Sequence, residues 1–466
     1  MVMTIARIIG CAGALLLVGD LMPALADGTW SDLQGLPEAR QEFPAVLLEG
    51  KIYTAGGMMN FTATAVNRFE SYDIRSNRWQ RLADLPLPVH HTAMATVGRK
   101  IYVLGGATGT STPTNRVFAY APEANTWSER APLPQATWAA AAVTYRERIY
   151  LFSGTAAPNF SSNPAVPHTQ VYTPGTDSWS TNYAPLPLSR NHMAAVRIGT
   201  QVYVSPGRTA NAADQADRRF HRYDLARNEW TELAPLPEFY RSGSAMAQLY
   251  GTLYLIGGEG SGPVLDKVHA YDAASNAWRR VPDLPEGRHG MGAVTLGNVI
   301  HVPGGGFQNG LGPSARAFAF TVPQVGLLSF ERWSRGFFSA GDSESGPDDD
   351  FDGDGLSNFE EFALNLDPGV VAPPRQPQLR RKETNQFFLE YERGRGRAVQ
   401  WDLLISTDLT QWNLAEPGVD WTESAITDLG LGTERIAVEI FPRGRDRLFV
   451  RLSPGLPKSS GYGRPE

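Results

Sequence analysis

Short apolar runs separated by turn residues recur along residues 27–322, and each cycle keeps the same internal order. A run such as Lys51-Ile52-Tyr53 or Ile101-Tyr102-Val103-Leu104 is followed by a glycine doublet, Gly56-Gly57 or Gly105-Gly106. A tyrosine comes next, and a tryptophan seven residues after it: Tyr72 and Trp79, Tyr120 and Trp127, Tyr172 and Trp179, Tyr223 and Trp230, Tyr271 and Trp278. With Trp30 included, the tryptophans stand at intervals of 49, 48, 52, 51 and 48 residues. Runs this short, bounded by turn residues, predict β-strands. A period of about 50 residues predicts a repeat architecture built from them.

Doublets also stand at Gly257-Gly258 and Gly304-Gly305, while Ser153-Gly154 and Pro206-Gly207 take their place in two cycles, which makes six. Doublet, tyrosine and tryptophan in this register resemble the kelch family, and the resemblance covers about residues 27 to 322. It implies an all-β, six-bladed propeller with four strands per blade. The last doublet is followed by Phe320 and no tryptophan, whereas Trp30 precedes every doublet. The strand around Trp30 is therefore expected to complete the blade formed by residues 286–322 and close the ring, which removes exposed sheet edges. The strands after each Leu-Pro step carry small residues, among them Ala93, Ala95, Ala139 to Ala142, Ala194, Ala195, Ala245, Ala247, Gly292 and Ala293. Small side chains suit the crowded axis of a propeller.

In a four-stranded meander, the loop after the second strand and the connection to the next blade share one face. Sixteen residues before each glycine position lie Arg40, Val89, Thr137, Arg190, Arg241 and Arg288, with His90, His91, His192 and His289 one or two places further on. Four arginines at equivalent places suggest a cationic ring that grips a carboxylated ligand, since guanidinium holds carboxylate through two hydrogen bonds. The other reading is that they hold neighbouring blades through carbonyls or through Glu38, Glu238 and Glu286. Arg40, His91, Trp138, Arg190, His192, Arg241, Arg288 and His289 are the candidate ligand-binding set, for a glycan or a protein. Trp138, Phe239, Tyr240 and Phe307 break the repeat pattern near the same face, as stacking platforms or as loop packing.

Two enzyme classes on kelch propellers bear on the chemistry. Galactose oxidases use a tyrosine cross-linked to cysteine, which a chain without Cys11 lacks. The sialate mutarotases need no cofactor, and resemblance to them implies that Arg190 or Arg241 would hold a substrate carboxylate while Glu238 or His192 moved protons. The sequence contains no nucleophile elbow, phosphate loop or zinc-spaced histidine pair. Recognition is thus the first reading, with a cofactor-independent sugar isomerase as the alternative.

The run from Asp348 to Glu361 fits one metal-binding register. With Asp350 at the first position, Asp352 falls at the third, Asp354 at the fifth, Gly355 at the sixth, Leu356 at the seventh, Asn358 at the ninth and Glu361 at the twelfth. This is the ligand spacing of a calcium loop, with glycine at the sharp turn and a closing glutamate on the following helix. The loop resembles those of dockerins and thrombospondin type 3 repeats. Dockerins use two such loops, so a single one argues against cohesin binding and for a structural calcium ion.

Charge and termini refine the picture. A net charge of -6 offers no basic surface for nucleic acid. Residues 1–26, with Arg7, an apolar stretch from Cys11 to Val18 and Ala24-Leu25-Ala26, read as a signal peptide, so a secreted or periplasmic location is expected. Its removal would take away Cys11, the sole cysteine, and leave no integral membrane segment. Beyond the propeller the expected organisation is a linker with the calcium loop over 323–367 and a proline-rich linker over 368–380. A small β-sandwich over 381–454 and a polar tail over 455–466 complete it. Phe387 to Tyr391, Trp401 to Ile405, Ile436 to Ile440 and Leu448 to Leu452 read as the strands of that sandwich.

Overall fold

The computed structural model describes residues 28–158, 165–209, 216–238, 241–323, 333–338, 344–352, 356–364 and 368, and seven strands between 378 and 455. Six antiparallel four-stranded sheets succeed one another along the chain. Blade one comprises Ala45–Leu48, Lys51–Ala55, Phe69–Asp73 and Arg78–Arg81. Blades two to five open with the inner strands Ala93–Val97, Ala141–Tyr145, Ala195–Ile198 and Ala245–Leu249. Blade six takes Val294–Leu296, Val299–Pro303 and Ala317–Thr321, and borrows Thr29–Leu33 as its outer strand. That strand pairs antiparallel with Ala317–Thr321, placing Trp30 opposite Phe320. The expected closure of the ring by the N-terminal strand is what the fold shows.

The spacing of seven has a simple cause. Each tyrosine and its tryptophan are directly opposed across the outer hairpin, as in Tyr72 with Trp79 and Tyr271 with Trp278. In blade six Phe320 fills the tyrosine place, its ring 4.8 Å from Trp30. Every one of these six indoles also donates to a carbonyl of the preceding blade: Trp30 to Pro282, Trp79 to Gln34, Trp127 to Ala83, Trp179 to Ala131, Trp230 to Ala184 and Trp278 to Ala234, at 2.8–3.0 Å. One residue type thus supplies both apolar area and a directional bond between blades.

Between sheets the core is continuous. Tyr102, Leu104 and Val117 of blade two pack with Ile149, Leu151 and Tyr172 of blade three, and the other interfaces repeat the pattern. The glycine doublets allow this approach. Gly105 has φ +59°, and a Cβ there would stand 2.4 Å from the Thr137 carbonyl oxygen of the next connection.

At the axis a second closed ring joins all six blades. The amide of Glu42 donates to the carbonyl of Gly290, His91 to Glu42, Ala139 to His91, His192 to Ala139, Gly243 to His192 and Gly290 to Gly243, at 2.6–3.0 Å. All six residues are in the left-handed region, with φ between 50° and 61°. Four of them are not glycine, a conformation that disfavours any side chain.

The segment after the propeller docks on the opposite end of the inner strands. Trp333, Phe338, Phe359 and Phe362 form a small core that also contacts Tyr250 and Phe351. Phe351 lies 6.4 Å from the Tyr145 ring, and Arg146 stands over it and pairs with Glu344. Phe359 and Phe362 come from the helix Asn358–Leu364, as the amphipathic spacing there implies. Further on, one sheet holds Gln378–Glu383, Gln386–Gly394, Thr433–Ile440 and Trp421–Gly430, and another holds Asn413–Leu414, Gln400–Ser406 and Phe449–Gly455. The strand Gln378–Glu383 begins inside the stretch read as a proline-rich linker, because it pairs with Gln386–Gly394.

Candidate functional site

The four arginines at equivalent places do not face a ligand. Arg40, Arg190, Arg241 and Arg288 are fully buried. Arg40 donates to the Gly56 carbonyl at 2.9 Å and Thr54 Oγ1 at 3.1 Å, and pairs with Glu70. Arg190 reaches the Arg219 carbonyl at 3.1 Å and His221 Nδ1 at 3.2 Å. Arg241 donates to the carbonyls of Gly257, Lys267 and Leu255 and to His269 Nδ1. Arg288 takes Gly287 O and the Glu286 carboxylate. Burial lowers Arg190 to about 10 and Arg241 to about 9, far below an exposed guanidinium. The expected cationic ring is corrected to a set of internal braces, each within its own blade. Of the three glutamates after the Leu-Pro steps only Glu286 meets one of these arginines; Glu38 pairs with Arg68 and Glu238 with Arg280.

Two positions after each arginine place is the axial ring residue, and there the chemistry collects. Glu42, His91 and His192 project from it onto a cavity of about 170 Å³ walled by small residues, including Ala45, Ala93, Ala141, Ala195, Ala245 and Ala293. His91 Nε2 lies 3.0 Å from Glu42 Oε2, and His289 Nδ1 lies 3.3 Å from Glu42 Oε1 and 3.6 Å from Glu259 Oε1. Glu259 is also paired with Arg208 and accepts from the Gly310 amide at 3.1 Å. Burial would raise Glu42, yet His91 and His289 hold it well below the usual carboxylate range. Burial also works against a charged His289, but Glu42 and Glu259 together raise it. His192 goes the other way: burial and then Arg208 press it well below an ordinary histidine.

Behind the cluster, His90 Nδ1 stands 2.6 Å from His91 Nδ1, and its Nε2 is 3.0 Å from the Thr110 carbonyl. Burial lowers His90 to about 3, so it is neutral. Trp138 is fully buried, its ring edge-on to His91 at 5.1 Å and to His192 at 6.0 Å. It packs the cluster, and the expectation of an accessible stacking platform there is corrected. Phe239 and Tyr240 lie outside the described residues. Phe307 is exposed, at 41%, and meets Phe61, at 62%, edge to face with centroids 6.5 Å apart. Sequence reasoning passed over Phe61, Glu42 and Glu259. Glu42 carried a signal, since it occupies the same place in its blade as His91 and His192, and Glu259 directly follows Gly257-Gly258.

The chain matches the propeller family described as Attractin/LZTR1 beta-propeller over residues 24–264. It belongs to this kelch-type family. Kelch-like protein terF of Aspergillus terreus is 29% identical over 227 residues, which cover 46% of this chain and 37% of that one. Kelch-like protein 33 of Homo sapiens is 36% identical over 81 residues, 17% of this chain and 15% of its own. The kelch match therefore spans well under half the length of either relative. The solved structure of YjhT superposes with a TM-score of 0.53 at 17% identity, covering 62% of this chain and 95% of that one, a likeness of fold. The kelch propeller is a fold suited to binding protein or other ligands. Among the described residues no helix is long and apolar enough to cross a membrane.

In the acidic loop beneath the kelch propeller, Asp350, Asp352, Leu356, Asn358 and Glu361 are described, whereas Asp354 lies outside the described residues. Asn358 and Glu361 are fully buried at the start of the helix. Asn358 Nδ2 donates to the carbonyls of Glu344 and Gly346, while its Oδ1 is buried and accepts no hydrogen bond from the described residues. A buried amide oxygen without a donor, one turn from a buried carboxylate, fits an oxygen-coordinated cation.

Proposed function

We propose that the chain is an exported recognition protein whose propeller binds a glycan or protein ligand on the loop-bearing face, with one structural calcium ion in the acidic loop below. The exposed pair Phe61 and Phe307 carries this reading. They come from equivalent loops of blades one and six, on the face where the connections enter the axis, and their rings face solvent in place of the core. Exposed aromatic area of this kind is a surface for stacking against sugar rings or peptide side chains. Calcium is supported by the complete ligand spacing and by the buried Asn358 oxygen. The ion would hold the loop that seats Phe351 against Tyr145 and Arg146.

A second reading is a sugar isomerase without a cofactor, similar to the kelch-type sialate mutarotases. It is favoured by Glu42 and His91, a carboxylate and an imidazole 3.0 Å apart at an open cavity, where proton transfer is feasible. The test is a glycan and acidic-sugar screen with the chain lacking residues 1–26, followed by NMR of each bound sugar. Binding with unchanged anomer and epimer ratios supports recognition. Accelerated interconversion selects the isomerase, and no binding to any glycan or protein probe overturns both.

A further inference from the structure

The axial ring places side chains where glycine would be at ease. Blades five and six use Gly243 and Gly290 at this position, both with φ +61°, and the backbone ring is complete there. Glu42, His91 and His192 hold the same left-handed conformation, with φ 58°, 50° and 54°. Retained strain of this kind is a mark of function. The three strained positions that carry a polar side chain are also the ones whose ligand atoms lie within 4.8 Å of one another.

Each of the three is oriented from behind. Glu42 Oε1 lies 3.3 Å from His289 Nδ1, and its other oxygen, Oε2, is the one that meets His91. His192 Nδ1 is 2.5 Å from Asn191 Oδ1 and so carries the proton, leaving Nε2 with its lone pair. His90 must donate from Nε2 to the Thr110 carbonyl, so its Nδ1 accepts from His91 Nδ1. His91 Nε2 faces Glu42 Oε2 at 3.0 Å. At this distance a positive centre lies between the imidazole nitrogen and the carboxylate oxygen, a place that a ring proton or a metal ion fills. Hydrogen-bond partners on the far ring nitrogen of both histidines are the usual second layer of a metal centre.

We propose that Glu42, His91 and His192 form a binding site for a divalent transition metal ion of the zinc class, with a remaining coordination position open to the axial cavity. Two imidazoles and a carboxylate with one open position suit such an ion and leave room for a small oxygen ligand. The other grouping, Glu42, Glu259 and His289, is less suited, because Glu259 already pairs with Arg208 and His289 is held between two carboxylates. The ion is distinct from calcium in the acidic loop, whose ligands are all oxygen.

Glycine at the ring offers a test that spares the fold, since two blades already have it. The chain, stripped with chelator and then kept in excess calcium to occupy the acidic loop, would be titrated with Co²⁺ and with Zn²⁺. One equivalent of cobalt is expected to bind with the visible d–d absorption of nitrogen and oxygen ligation, and zinc is expected to displace it. Glu42→Gly, His91→Gly and His192→Gly should each abolish that absorption while melting normally without metal. Asn191→Ala should weaken binding by about 10- to 100-fold, the usual effect of losing an orienting partner. Absence of a stoichiometric cobalt band in the unaltered chain, or the same band in a His91→Gly/His192→Gly chain, would overturn the proposal.

Discussion

Both terminal nitrogens of Arg190 lie 3.2 Å from Nδ1 of His221, an imidazole nitrogen that can accept only while it is unprotonated. The same relation holds one blade on, where Arg241 Nη2 meets His269 Nδ1 at 3.1 Å. These pairs explain why a row of equivalent arginines on a binding face serves the interior instead. Removing the guanidinium leaves the Arg219 carbonyl and the imidazole without donors and opens a cavity. Arg190→Ala is expected to lower stability by about 3 kcal/mol, read by urea unfolding, and to leave any ligand affinity of the folded fraction unchanged.

The same pairs set a pH dependence. Burial, followed by the adjoining guanidinium, lowers His221 to about 4 and His269 to about 3. In the unfolded chain these imidazoles titrate near about 6.5, so the unfolded state takes up protons that the folded state refuses. Stability from this source is complete above about pH 6.5 and declines as pH falls toward about 3. Melting temperature against pH checks this, and replacing both histidines by asparagine, which keeps an acceptor, should flatten the decline.

The ring at the axis predicts opposite outcomes for two similar substitutions. Ala139 has φ 53°, and its side chain takes no part in the carboxylate and histidine cluster. Ala139→Gly should therefore stabilise by about 1 kcal/mol through relief of the left-handed penalty. Gly290→Ala should destabilise, because its Cβ would fall 2.4 Å from Glu42 Oε1 in addition to the backbone strain. Paired thermal denaturation of the two variants measures both signs.

Six blades and their closure were legible because the tryptophan and tyrosine are cross-strand partners, so their offset survives any change in loop length. The arginines misled because spacing gives a position and says nothing of direction. Arg40 and Glu42 are two residues apart, yet one side chain runs into the blade and the other toward the axis. Trp138 was singled out for interrupting the repeat, and its place behind His91 and His192 depends on contacts between blades. Glu259 meets His289 from another blade, a meeting that no linear spacing announces.

Calcium in the acidic loop predicts a chelator effect. At 100-fold excess over its dissociation constant, a ligand bound to the folded state alone adds about 2.7 kcal/mol. Excess chelator should therefore lower the melting temperature of the segment resting on Tyr145 and Tyr250. Glu361→Gln should melt at the lower temperature with or without calcium.

Recognition through the loop-bearing face is tested most directly by measuring the affinity of a glycan or protein captured in the binding screen for Phe61→Ala/Phe307→Ala, beside the unaltered chain. Both rings are exposed, so melting should not change. The account predicts a loss of affinity of about tenfold or more, which corresponds to about 1.4 kcal/mol or more of lost aromatic contact. Undiminished affinity in the double variant at an unchanged melting temperature would contradict it.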